Sequence, residues 1–87
     1  MTYRVEFAPA ALRAFAKLDP ETQRRLRPRI EALGENPRPS GAKAMQGADS
    51  GLLRIRIGDY RVVYIVKDDV LRVLVVKIGH RREVYRG

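Results

Sequence analysis

The chain contains no cysteine and a single histidine, His80. The first absence excludes disulfides, thiolate nucleophiles and cysteine-based zinc sites. The second excludes multi-histidine metal clusters and any mechanism that needs two imidazoles. Long apolar runs are also missing: the longest, such as "VVYIV" at 62–66, fall far short of the roughly 20 residues that span a membrane. The start, "MTYRVEFAPAAL", lacks the basic opening and apolar stretch of a signal peptide. The expectation is a cytoplasmic protein with no metal, no cofactor and no membrane association.

Acidic residues are scarce relative to basic ones. Eighteen Lys and Arg stand against ten Asp and Glu, a net charge of +8, and the isoelectric point lies near 10.6. Residues 1–50 hold nine basic and six acidic side chains, while residues 51–87 hold nine and four. The excess is therefore densest towards the carboxyl terminus. A domain this basic carries the electrostatic footprint of a polyanionic partner. With 87 residues the chain is expected to form one domain, 1–87, around one modest core.

What is present reads as alternating signals for strand and helix. "YRVEFA" alternates Tyr3, Val5 and Phe7 with Arg4 and Glu6, the pattern of a half-buried strand. Pro9 ends it and suits the first turn of a helix, and in "AALRAFAKL" the apolar Ala11, Leu12, Phe15, Ala16 and Leu18 recur at helical spacing. Asp19-Pro20 supplies an N-cap and a first-turn proline for a second helix. That helix, "ETQRRLRPRIEALGENP", places Leu26, Ile30 and Leu33 on one side. Pro28 inside it is expected to kink or split it. Its arginines at 24, 25, 27 and 29 spread around the helix and read as a solvated outer face.

Residues 35–51 read as a long Gly- and Pro-rich connection of the kind that is usually functional or mobile. Lys43 is its candidate phosphate contact. Strands follow at 52–57, 60–67 and 70–78, joined by Gly58-Asp59 and Asp68-Asp69, so that both pairs form antiparallel hairpins. The fold class is α+β: an antiparallel sheet, made of the amino-terminal strand and a three-strand meander, with both helices on one face.

Within "LLRIRIGDYRVVYIV", residues 52–66, a two-residue turn places Arg56 directly opposite Arg61. Like charges in that position are destabilising. Leu53, Ile55 and Ile57 face the helices, which leaves Arg54, Arg56 and Arg61 on the open face. An anionic ligand reverses the sign of the cost, because phosphate oxygens match the arginine fork. The tail "GHRREVYRG" adds Arg81, Arg82 and Arg86 around Tyr85. Guanidinium groups interleaved with a ring suit single-stranded nucleic acid, where base stacking is worth about 1–3 kcal/mol per base.

The ordered set "FAPAALRAFAKLDP", "ENPRPSGAKAMQG", "GDYRVVY" and "GHRREVY" resembles the RelE/ParE superfamily of toxins, and within it the RelE branch, over essentially the whole chain. The resemblance implies a fold like that of small microbial ribonucleases. It also implies a type II toxin that inhibits translation by cleaving messenger RNA in the ribosomal A site of the 30S subunit. In that chemistry the ribose 2′-hydroxyl attacks the adjacent phosphate, without a metal. A cognate RelB-like antitoxin would silence the toxin in a heterotetramer or larger complex. An exposed sheet beside a basic groove independently suits an acidic or amphipathic segment that folds on binding.

By the same resemblance the catalytic positions are Arg54, Arg56, Arg61, Arg81 and Tyr85. Arg61 would hold the scissile phosphate, Arg81 would stabilise the pentacoordinate charge and Tyr85 would stack on a base. Lys43, Arg82 and Arg86 join Arg54 and Arg56 as RNA contacts. The best-known RelE enzyme has lysines where this chain has Arg54 and Arg56, and an arginine does not lose its proton in proteins. His80, beside Arg81, is then the candidate general base. Two other readings compete: a non-enzymatic ParE-like inhibitor of DNA gyrase, and a basic nucleic-acid-binding domain without turnover.

Overall fold

The computed structural model describes residues 2–47 and 51–80. Strand β1 (Arg4–Phe7) leads through Ala8 into α1 (Pro9–Ala16), with Pro9 in the first helical turn. Helix α2 (Pro20–Glu31) is capped by Asp19. The Thr22 hydroxyl donates to Asp19 Oδ1 at 2.6 Å and the Thr22 backbone N–H donates to Oδ2 at 3.2 Å. These two bonds, the hydroxyl first, hold the Asp19 carboxyl below the usual carboxylate range, and they satisfy an amide that the helix start leaves open.

Pro28 does not split the helix. The Ala32 N–H still reaches the Pro28 carbonyl, and a single 3₁₀ turn, Ala32–Gly34, ends the segment. The proline removes one hydrogen bond, but Leu26 and Ile30 on either side of it are both fully buried. Their packing keeps the helical path. One of the four arginines does more than face solvent, since the Arg27 guanidinium lies 5.0 Å from the centre of the Phe15 ring, tying the two helices together.

The sheet runs β1-β5-β4-β3-β2. The central hairpin forms as its sequence predicts: β3 (Leu53–Ile57) and β4 (Tyr60–Lys67) pair antiparallel, Ile57 opposite Tyr60 and Arg56 opposite Arg61. Gly58 takes a positive φ of 60° in the two-residue turn, where a side chain is disfavoured.

Three details differ from expectation. The β4–β5 connection is longer than Asp68-Asp69: a 3₁₀ turn at Asp68–Val70 and a left-handed Leu71 precede β5 (Arg72–His80), and Lys67 pairs with Arg72. The long connection contains a two-residue strand, β2 (Lys43–Ala44), on the free edge of β3. Finally, β1 pairs with β5 in parallel, so the sheet is mixed rather than wholly antiparallel. Alternation announces a strand without naming its neighbour. Here the helical crossover returns the chain in the same direction, as parallel pairing requires.

Both helices cover one face. Ala11 and Phe15 of α1 pack with Leu26 and Ile30 of α2, with Leu33, and with Ile55, Ile57, Val62, Tyr64, Val73, Val75 and Ile78 of the sheet. Two positions depart from the helical reading: Leu12 is left 56% exposed and Ala16 is exposed as well. Gly34 sits where α2 meets β1: the Tyr3 N–H donates to its carbonyl at 2.7 Å, and a β-carbon there would stand 2.8 Å from the Tyr3 carbonyl oxygen. Gly34→Ala is therefore expected to destabilise the fold by about 1–3 kcal/mol. Gly41→Ala, with nothing within 4 Å of its added carbon, is expected to be near neutral. Urea unfolding of the two variants checks the contrast.

Candidate functional site

Strand alternation and register gather cations on the face away from the helices. Lys43 of β2 stands opposite Arg54 of β3, and Arg56 of β3 stands opposite Arg61 of β4. Directly opposed residues point to the same side of an antiparallel pair. Lys43, Arg54 and Arg56 line, with Gly41, a cavity of about 350 Å³. Among the described residues, its lining holds three cations and no carboxylate. A multiply charged oxyanion is the ligand chemistry this arrangement fits.

Arg61 shares the register but not the exposure of its neighbours. Arg56 is exposed, whereas Arg61 retains only 1% of its accessible surface. The expectation that all three arginines lie open is thus corrected for this one. β4 is the central strand, and Arg61 is flanked by Arg56 and Gly79. Val63, two residues along on the same face, is buried as well.

His80 lies elsewhere. It pairs with Tyr60, and their rings meet edge to face at 5.7 Å. Both rings border a cavity formed with Arg13 and Ala14 of α1 and with Lys17 just after it, on the helix side of the sheet. One residue before it, Gly79 lies opposite Arg61. Alternation thus puts the His80 imidazole on the opposite face from the arginines. The structure does not bring the candidate base to the cationic cluster. Arg81, Arg82, Tyr85 and Arg86 fall outside the described residues. Among the described residues, no three His, Cys, Asp or Glu side chains are grouped to hold a metal, and no helix is long and apolar enough to cross a membrane.

A second polar cluster gave no signal in the sequence. The Arg38 guanidinium forks onto Asp68, Nη1 donating to Oδ1 at 3.2 Å and Nη2 to Oδ2 at 2.9 Å. The Tyr3 hydroxyl donates to the same Oδ1 at 2.5 Å. One residue before Arg38, the carbonyl of buried Pro37 accepts a 2.7 Å hydrogen bond from the hydroxyl of fully buried Tyr64. Two adjacent residues of the connection are thereby tied to the sheet. Burial raises the Tyr64 phenol above its ordinary pKa, so the hydroxyl remains a donor.

With this geometry in view, the relatives are informative. Residues 5–85 match the family described as ParE toxin of type II toxin-antitoxin system, parDE. The chain belongs to this family. The toxin is 31% identical to the mRNA interferase toxin RelE of Escherichia coli K12, over 98% of this chain and 92% of that protein. Its fold superposes with a TM-score of 0.84 on a chain of the RelBE2 toxin–antitoxin complex from Mycobacterium tuberculosis, at 26% identity and covering 93% of this chain and all of that one. A chain of the archaeal RelE–RelB complex from Pyrococcus horikoshii gives 0.79 at 30% identity, covering 93% and 97%. The toxin is thus a RelE/ParE-type member of a toxin–antitoxin system.

The Arg38–Asp68 fork leaves a pH signature in the toxin. Hydrogen bonds from Arg38 first, and then from Tyr3, hold the Asp68 carboxyl down at about 2, against an ordinary 3.8. A carboxylate whose pKa is depressed by folding adds stability that is complete above its unfolded pKa and disappears as pH falls through the folded one. The window here runs from about pH 4 down to about 2, and salt narrows the effect because the pair is exposed. Urea unfolding from pH 5 to 2 is expected to show a steeper acid loss in the native toxin than in Arg38→Ala. Identical slopes would mean that the fork does not form in solution.

Proposed function

We propose that this toxin is a ribosome-dependent, metal-independent endoribonuclease that cleaves messenger RNA in the 30S A site and so blocks translation. The observation that carries the reading is the Arg56–Arg61 cross-strand pair beside the cavity lined by Lys43, Arg54 and Arg56. A fold that opposes like charges twice on one face is suited to a phosphodiester backbone that neutralises them. The name mRNA interferase on the RelE relative supports the same reading.

In this chemistry the 2′-oxygen attacks the neighbouring phosphorus and the bond to the 5′-oxygen breaks. A 2′,3′-cyclic phosphate and a 5′-hydroxyl result. The proton leaves the 2′-oxygen and another reaches the departing 5′-oxygen. Arg54 and Arg56 clamp phosphate oxygens, and with the charge of buried Arg61 beside Arg56 they offset the negative charge that grows at phosphorus, usually the largest single contribution to such catalysis. Arginine takes no part in the proton transfers, because it stays protonated. Arg81 is assigned to the same developing charge and Tyr85 to base stacking, with Arg82 and Arg86 on the flanking backbone. These four assignments follow the family resemblance. The ribosome supplies the in-line geometry of the substrate, an entropic contribution that is large in oriented reactions.

Solved relatives occur with RelB-type partners, and a RelB-like antitoxin is the proposed partner here, in a heterotetramer or larger complex. The ParE description of the matching family keeps gyrase inhibition as the second reading. Expression in bacteria without antitoxin, with 5′ ends mapped across translated transcripts, separates the two. Codon-phased cuts are expected, reduced on the order of 10²-fold in Arg56→Ala. Growth arrest with intact messages and broken DNA would instead establish the gyrase reading.

A further inference from the structure

Strand β2 is two residues long and places Lys43 directly against Arg54. One further backbone bond, from the Met45 N–H to the Leu52 carbonyl at 2.9 Å, extends its pairing with β3. Two ladder positions contribute little pairing, and like charges opposite one another push the strands apart. Among the described residues, the cavity that Lys43 shares with Arg54 and Arg56 is lined by these three cations and Gly41. Lys43 is nevertheless held at the sheet edge, and its segment carries further restraints outside the cavity.

The restraints lie upstream in the same segment. The Tyr64 hydroxyl holds the Pro37 carbonyl, and Asp68 holds the Arg38 guanidinium at both oxygens. Pro37 and Pro39 flank Arg38, and their fixed φ angles stiffen the chain there. The Ala42 N–H closes back onto the Pro39 carbonyl at 2.9 Å, and Ala42 packs on the core immediately before Lys43. An orientation set at Arg38 thus passes through a short, turn-closed stretch to Lys43. Asp68 is itself braced by Tyr3 of the amino-terminal segment. It lies in the β4–β5 turn, outside the cavity lining.

We propose that the Arg38–Asp68 pair is a positioning device for Lys43, holding that ammonium against its like-charged neighbours so that it contacts the RNA backbone. This deepens the endoribonuclease reading and rests on it. Asp68 and Arg38 act through Lys43, not on the substrate.

The test exploits the opposite charges of the pair. Asp68→Asn makes the toxin more positive by one unit, and Arg38→Ala makes it less positive by one. A long-range electrostatic contribution moves RNA binding in opposite directions in the two variants. Loss of positioning moves it in the same direction. The probe is a short single-stranded RNA with 2′-O-methyl riboses, which cannot be cut, titrated with the full-length toxin between 50 and 200 mM salt. Each phosphate contact to a single strand contributes about 0.7 to the slope of log K against log salt. Asp68→Asn, Arg38→Ala and Lys43→Ala are each expected to lower that slope by about 0.7, and the double variant Lys43→Ala/Asp68→Asn to lower it no further.

Slopes that stay unchanged in Asp68→Asn and Arg38→Ala, or affinities that shift in opposite directions, would overturn the proposal. So would a double variant whose losses add. An effect of Arg56→Ala with none from Lys43→Ala would overturn it while leaving the RNA reading intact. If neither Lys43→Ala nor Arg56→Ala moves the slope, the RNA reading falls and the positioning role falls with it.

Discussion

The arrangement rests on one cross-strand contact, Arg56 against Arg61. A like-charged pair in that position costs roughly 0.2–1 kcal/mol, and the fold forms it because the other face of the same two strands settles the register. Ile55 and Ile57 of β3 and Val62 and Tyr64 of β4 are buried in the core, each aliphatic side chain contributing about 1.5–3 kcal/mol. A slip of one residue would turn that whole set outward. The core term exceeds the repulsion several-fold, so hydrophobic packing dictates where the guanidinium groups stand.

The two members of the pair differ in their surroundings, and that difference suits division of labour. Arg56 is exposed and borders the cavity it shares with Lys43 and Arg54. Arg61 is buried at the centre of the sheet, where a charge acts through a lower effective dielectric and so more strongly on a nearby anion. An exposed guanidinium beside a buried one suits the proposed catalytic role, since charge fixed in place beforehand stabilises a transition state best.

Local chemistry was legible in the sequence and remote pairing was not. Gly58-Asp59 between two alternating runs announced both the hairpin and the Arg56–Arg61 register, and Asp19-Pro20 announced the start of α2, because each signal lies within a few residues of its consequence. The parallel partner of β1, the short β2 and the Arg38–Asp68 fork join segments far apart in the chain, and no local pattern encodes them. Pro28 misled because a propensity rule took no account of Leu26 and Ile30, whose burial outweighs one lost hydrogen bond. His80 misled for a different reason: alternation along β5 turns it away from Gly79, the neighbour of Arg61, and its ring lies with Tyr60 on the helix side.

Repulsion stored on the arginine face, and relieved by a polyanion, underlies the proposed function. The most direct measurement is the unfolding free energy of Arg56→Gln against the native toxin, at low salt and again with added inorganic phosphate. The variant is expected to be more stable at low salt by a few tenths to about 1 kcal/mol, and phosphate to stabilise the native chain more than the variant. A variant less stable than the native chain at low salt, with no difference in its response to phosphate, would contradict this.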